Sequence, residues 1–272
     1  MEGTPADPGV SPRAIHALFA EAANLQGESG DLPTWKFSFT FSCFEIYNET
    51  ILDLLSEDLA HNKGDKKDMK AKKQELDIRQ TGKDGTMSVV GLTAIEVSAA
   101  SEVEVLMSKA QKHRAVGSHE MNEHSSRSHC ITTVNAYGSN QIDGQTSFGK
   151  LHLIDLAGSE RVSKTDATGD RLKEAQSINK SLSALGDVIA ALGSKKGTHV
   201  PYRNSKLTHF LSDSLGGNSK VLMFVNISPA VFNVSETVCS LTFATRCRNV
   251  ELGQAKRNTG ATKNIEVGDE ES

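Results

Sequence analysis

The feature that most constrains this fold is the run Leu151-His152-Leu153-Ile154-Asp155-Leu156-Ala157-Gly158-Ser159-Glu160, an apolar stretch that delivers a carboxylate and then a glycine to one spot. Near-continuous apolar residues read as a strand buried on both faces, of the kind found inside a parallel-type sheet. Ligands of open α/β sheets gather at the carboxyl ends of such strands, where Asp155 falls. An Asp there can hold the water shell of Mg²⁺, and a Gly three residues on lets a backbone N–H approach a phosphate with no Cβ in the way. Taken alone, D-x-x-G is better read as a core strand followed by a tight polar turn.

A second stretch shifts that balance. Asn122-Glu123-His124-Ser125-Ser126-Arg127-Ser128-His129 packs hydroxyls, a guanidinium and imidazoles together, directly ahead of the strand-like residues 130–137. Serine hydroxyls suit Mg²⁺ and phosphate oxygens, whereas a serine-rich segment without a partner is a solvated turn.

Together, N-x-x-S-S-R-S-H and D-L-A-G-S-E resemble the two nucleotide switches of the kinesin motor domain. The resemblance runs from Gly9-Val10-Ser11-Pro12-Arg13-Ala14-Ile15 through Phe44-Glu45-Ile46-Tyr47-Asn48-Glu49 to His199-Val200-Pro201-Tyr202-Arg203-Asn204-Ser205-Lys206-Leu207-Thr208. It implies an α/β fold: a P-loop NTPase-like kinesin motor core, with a mixed, mostly parallel sheet flanked by helices. The family's G-x-x-x-x-G-K-[ST] phosphate loop occurs nowhere in the sequence, and Met1-Glu2-Gly3-Thr4 resembles the residues that follow that loop. The expectation is therefore a partial motor domain over residues 1–253, with its amino-terminal strands and phosphate loop missing, a basic insertion at about 61–75 and a polar, disordered tail over 254–272. An interior strand removed from such a sheet leaves unpaired edges and uncovered core.

The resemblance also implies roles. Ser126 would ligate Mg²⁺ and touch the γ-phosphate of ATP, Ser125 and Asn122 would position phosphate and water, Asp155 would hold the metal through water, and Gly158 would sense the γ-phosphate. Arg127 and Glu160 would form the ion pair that closes the pocket and orients the attacking water, in keeping with phosphoryl transfer being mostly positioning and charge stabilisation. Family microtubule contacts fall on Arg161, Lys164, Tyr202, Arg203 and Lys206, with Asp166 standing where many members carry Gly. The ending Phe243-Ala244-Thr245-Arg246-Cys247-Arg248-Asn249 resembles the carboxy-terminal-motor, minus-end-directed kinesins, whose parent proteins dimerise through a coiled coil. Two functional readings follow: a microtubule-stimulated ATPase of the cytoplasm and cytoskeleton, and a truncated, non-catalytic chain that binds microtubules weakly or not at all.

Composition sets the bounds. A chain of 272 residues, 37% hydrophobic and 24% charged, can bury one large core, and a formal net charge of −4 argues against broad nucleic-acid binding. Cys43, Cys130, Cys239 and Cys247 form no C-x-x-C pair, and the histidines show no H-E-x-x-H spacing. No apolar run reaches the roughly 20 residues that span a bilayer.

Elsewhere, periodicity predicts a helix over 13–25, an aromatic-faced strand over 37–47 running into a short helix over 49–55, and a small hairpin from 76–79 and 87–90. It also predicts helices over 100–115 and after Asp170, a helix starting near Asn204 or Ser205, a buried strand over 221–227, and a last helix with Ser235 at its N-cap. On the helix after Asp170, the face bearing Lys180 and Ser181 is expected to be free for a partner.

Overall fold

The computed structural model describes residues 1–4, 6–26, 34–56, 76–81, 86–116, 126–159, 170–194, 199–216, 219–252, 255 and 259–260, with backbone alone at 116 and over 170–179 and 259–260. Its strands are β1 (Trp35–Tyr47), β2 (Thr50–Asp53), β3 (Asp77–Gln80), β4 (Met87–Val90), β5 (Ile95–Val97), β6 (His129–Asn140), β7 (Thr146–Asp155) and β8 (Thr259–Gly260). The main helices are α1 (Val10–Gln26), α2 (Ala100–Val116), α3 (Asp170–Leu192), α4 (Lys206–Phe210), α5 (Ser212–Leu215) and α6 (Val234–Arg248).

The main sheet runs β2-β1-β6-β7-β8, with β5 also on β1, while β3 and β4 form a separate hairpin. Side-chain alternation sorts two cores onto its two faces. Phe39, Phe41, Cys43, Val134 and Leu153 pack with Ile15 of α1 and Val103 of α2. Phe44, Ile46 and Ile131 pack with Leu185, Val188 and Ile189 of α3 and with Leu207 and Phe210 of α4. The α/β architecture of the sequence reading is thus present, with helices on both faces.

Strand direction differs from the mostly parallel sheet expected. Every pairing among the described strands is antiparallel. For the hairpins the reason lies in the connections: β6 reaches β7 through residues 141–145, and parallel neighbours need a crossover of a dozen residues or more. The short helix expected over 49–55 is likewise a strand. Asn48 (φ 50°) and Glu49 (φ 58°) both sit in the left-handed region, and Tyr47 pairs with Thr50, so these two residues make a tight hairpin turn into β2.

Residues 221–227 also depart from expectation. They belong to no strand, and Leu222 is 77% and Phe224 60% exposed. A strand is stable only where its backbone finds a ladder partner, and no described strand lies alongside this one. The matching opening is on β7: it pairs with β6 along its length, but with β8 only at Thr146 and Ser147, which leaves the rest of that edge open among the described residues. Val234, Val238 and Leu241 of α6 continue the exposed apolar surface. Thr259–Gly260, which forms β8, lies within the stretch read as a polar tail.

Sequence capping chemistry located α4 well. Ser205 accepts the Thr208 N–H while the Thr208 hydroxyl accepts the Ser205 N–H, a reciprocal capping box. The last helix begins at Val234 rather than after Ser235, because a 3₁₀ turn over Val231–Asn233 feeds directly into it. Among the described residues no helix is long and apolar enough to cross a membrane.

Candidate functional site

The two stretches singled out in the sequence meet in space. Asp155 is the last residue of β7, and the loop behind it turns so that the Gly158 N–H donates to the Ser126 carbonyl at 2.7 Å. One backbone hydrogen bond thus joins the serine-rich segment to the D-L-A-G segment.

Beneath that contact lies a cross-strand row. Glu45 of β1 stands opposite Cys130 of β6, which stands opposite Asp155 of β7. The α2 side chain Arg114 spans the row: its Nε is 3.2 Å from Glu45 Oε1 and its Nη1 is 3.1 Å from Asp155 Oδ2. Its Nη2 donates to the Ser128 carbonyl at 3.0 Å and to the Ser128 hydroxyl at 3.2 Å. A planar guanidinium suits this task because its fork of donors reaches several acceptors at once. Glu45 is 1% exposed and Asp155 56%, so the buried end of the row anchors Arg114 and the open end keeps a carboxylate turned to solvent.

On the opposite face, His129 links three elements. The Ala157 N–H donates to His129 Nδ1 at 3.0 Å, so the ring proton sits on Nε2, which donates to Ser181 Oγ at 2.7 Å. The imidazole must be neutral to accept at Nδ1. Burial first, and the Arg114 charge second, hold its pKa down at about 4, with Asp155 opposing them. Ser181 of α3 is 2% exposed, so the face expected to be free for a partner is turned inward at this residue; Lys180 next to it is exposed.

The remaining sequence-selected residues divide by place. Ser126, Arg127, Asp155 and Gly158 are gathered at the ends of β6 and β7. Asn122, Ser125, Glu160, Arg161 and Lys164 lie outside the described residues, as does the 61–75 insertion. Tyr202 and Arg203 form a 3₁₀ turn ahead of α4, next to α3. Lys206 is already engaged, with its Nζ 3.2 Å from Asp77 and its N–H donating to Glu49 at 2.8 Å, and it holds the Asp77 carboxyl below the usual range. Arg203 is exposed.

Sequence reasoning missed Arg114 and Glu45. The signal was available: the alternation Phe37, Phe39, Phe41, Cys43 carries Glu45 onto the same inward face, and a carboxylate there requires a cation.

Among the described residues no cluster of three or more His, Cys, Asp or Glu could hold a metal. A hard cation at the open carboxylate of Asp155 and the nearby Ser126 would take its other ligands from water and phosphate, which is the ordinary habit of Mg²⁺, and these oxygen donors fit it. The 272 residues themselves carry no G-x-x-x-x-G-K-[ST] motif.

Comparison with known proteins agrees with the geometry. A sequence profile described as the kinesin motor domain matches residues 1–250. Kinesin-like protein KIN-14R of Arabidopsis thaliana is 48% identical over 269 residues, which are 98% of this chain and 23% of that protein. Kinesin-like protein 2 of Schizosaccharomyces pombe is 46% identical over 92% of this chain and 29% of its own length. Among solved structures, the motor domain of the kinesin-like protein Kar3 of Saccharomyces cerevisiae superposes with a TM-score of 0.74 at 39% identity, covering 91% of this chain and 69% of that one. A fast kinesin, whose structure is described for its ATPase mechanism and interactions with microtubules, gives 0.78 at 36% identity, over 99% and 69%. The chain spans less than a third of the length of each of these two curated relatives.

Proposed function

The chain belongs to the kinesin motor-domain family, and from that premise we propose that it serves as the nucleotide-sensing and track-binding part of a microtubule motor of the cytoskeleton, minus-end directed like the carboxy-terminal-motor kinesins. The observation that carries this is the Gly158 N–H to Ser126 carbonyl bond, set over an Arg114-anchored Asp155. It brings the Gly158 amide, the Ser126 backbone and the Asp155 carboxylate to one end of the sheet, which supports reading that end as a phosphoryl-transfer site.

In this reading Ser126 and Asp155 would hold Mg²⁺. The bound ion would neutralise developing phosphate charge. Gly158 exchanges its N–H from the Ser126 carbonyl to a phosphate oxygen, and the loop shifts by the length of that exchange. Ala157, adjacent to Gly158, is bonded to His129, which is bonded to Ser181, so the same shift is felt by α3. Arg127 and Glu160 close the pocket and orient the attacking water, with Ser125 and Asn122 positioning phosphate and water. A phosphate loop's N–H cradle and lysine supply much of a nucleotide's affinity, so joining an upstream segment that bears one is expected to tighten ATP binding to this chain.

The test is steady-state ATPase, with saturating microtubules, of this chain joined to an upstream segment bearing a phosphate loop. Arg127→Ala and Glu160→Ala are each expected to lower kcat by roughly 10²-fold or more while leaving nucleotide affinity within a few-fold, and the double variant should cost little beyond either single one. Near-normal turnover in either single variant, or additive losses, would reduce the pair to a structural ion pair.

Track contact is assigned to Tyr202, Arg203 and Lys206, together with Arg161 and Lys164. Arg203→Ala is expected to weaken microtubule co-sedimentation several-fold, and more than Lys206→Ala does, because the Lys206 ammonium is shared with Asp77. Both effects should fade as salt is raised, since exposed charges are screened within about 8–10 Å at physiological ionic strength. Sedimentation indifferent to both substitutions would displace the contact from this turn.

A further inference from the structure

One pair of groups near the site has no part in the mechanism above. Cys43 of β1 is registered against Thr132, and Cys130 of β6 against Glu45, so the two cysteines lie diagonally on the same face of adjacent strands. Their sulfurs are 3.9 Å apart, in thiol contact, and Cys43 is also 3.5 Å from the Thr132 hydroxyl. Both are free thiols.

What distinguishes them from ordinary core cysteines is the cavity beside them, although Cys43 itself is 2% exposed and Cys130 only partly so. Both line a cavity of about 430 Å³ whose wall also includes Met1, Glu2, Arg114 and Asp155. A small polar solute can enter such a space, and of the two thiols Cys43 is the one whose pKa is lowered, chiefly by the hydrogen bond with Cys130 and less by the Arg114 guanidinium, while that same contact and burial raise Cys130. A disulfide between diagonal positions is attainable but not relaxed. Diagonal neighbours in an antiparallel pair have Cα atoms about 7–8 Å apart, whereas relaxed disulfides keep them at about 4.4–6.8 Å. Closing the bond therefore draws β1 and β6 together locally, and a bond closed under strain is the readily reduced, switching kind rather than the permanent kind.

We propose that Cys43 and Cys130 are a redox-responsive dithiol, oxidised by a peroxide that enters this cavity. The thiolate of one cysteine attacks a peroxide oxygen and becomes a sulfenic acid as the O–O bond breaks and water leaves. The second thiol then attacks that sulfur, forming the S–S bond and releasing a second water. Two electrons pass from the sulfurs to hydrogen peroxide, and two thiols plus one peroxide become one disulfide plus two waters. The site is a property of the β1–β6 pairing and does not rest on the motor reading. Its reach toward the functional site is direct, because Cys130 stands opposite Asp155 and next to His129. Oxidation thus pins the strand end that carries the row under Arg114.

The experiment exposes the chain to a small molar excess of hydrogen peroxide, quenches it, denatures it, alkylates it and weighs it intact, with and without a prior reducing step. The expected result is a fall from four alkylated thiols to two in a monomer. A peptide cross-link should join Cys43 to Cys130, and dithiothreitol should restore all four. The Cys239→Ser, Cys247→Ser double variant, which leaves the cavity untouched, should lose both of its remaining alkylations in the same way. Cys130→Ser should form no intramolecular bridge and instead carry a dimedone-trappable sulfenic acid at Cys43. Four alkylations after oxidation, or a bridge that is intermolecular or involves Cys239 or Cys247, would overturn the proposal.

Discussion

Arg114→Ala is expected to destabilise the chain by about 3–5 kcal/mol, the cost of breaking a buried ion pair from one side. The size follows from the partner left behind. Glu45 is almost wholly buried and loses its guanidinium, while the Ser128 carbonyl and hydroxyl lose a donor in the same step. For a chain of this size each kcal/mol moves Tm by about 2–4 °C, so a drop of roughly 6–20 °C should appear in thermal unfolding followed by circular dichroism. Two further variants separate the causes. Arg114→Lys keeps the charge but not the fork, and should fall between wild type and alanine. Arg114→Met with Glu45→Leu removes both buried charges and should recover most of the loss, since an apolar pair of similar volume is often as good as the ion pair it replaces. A loss below about 1 kcal/mol for Arg114→Ala would mean that the row is held by its strands alone.

Acidification should produce the second large effect. His129 and His152 both have folded pKa values of about 4, depressed mainly by burial, against an ordinary value of 6.5. Between those two values the unfolded chain binds more protons than the folded one, so stability falls as pH drops from about 6.5 toward 4 and rises again on return. At pH 5 the loss is about 2 kcal/mol for each histidine. Urea midpoints measured at pH 7, 6 and 5 should therefore decline by an amount equivalent to several kcal/mol, before most carboxylates begin to protonate. His152 accepts or donates at Thr133 Oγ1 through Nδ1 and packs edge-on to Phe210, so His152→Phe should flatten part of the profile. A midpoint unchanged from pH 7 to pH 5 would show that these rings take up protons without resistance.

How far the sequence carried can be seen element by element. The helices α1 and α2, the first half of β1 and the β3–β4 hairpin follow from periodicity, because their apolar residues recur at the helical or alternating spacing that marks a core-facing side. The Ser205 cap is equally local. Strand direction was not legible, since continuous apolar residues mark burial on two faces without saying which way the neighbour runs. The 49–55 stretch was misread because the turn there uses Asn48 and Glu49 at positive φ, with no glycine to announce it. At the site, Ser126, Asp155 and Gly158 could be chosen from motif spacing, but Arg114 could not. It precedes Ser126 by a segment of no periodic character, and its importance comes from standing over Glu45, a tertiary fact.

The long ladder between β1 and β6 sets the order in which this molecule can assemble. The β1–β2 and β6–β7 hairpins each close within a few residues, and such hairpins form in roughly 1–10 μs. The pairing of Trp35 with Asn140 and of Ile46 with His129 joins segments some eighty to a hundred residues apart, so its loop-closure cost precedes any contact that rewards it. Docking of the two hairpins is then the slow event, and Arg114 can bridge Glu45 to Asp155 only after it. Until then Glu45 remains hydrated, and the charge that most needs burying with a partner is buried last.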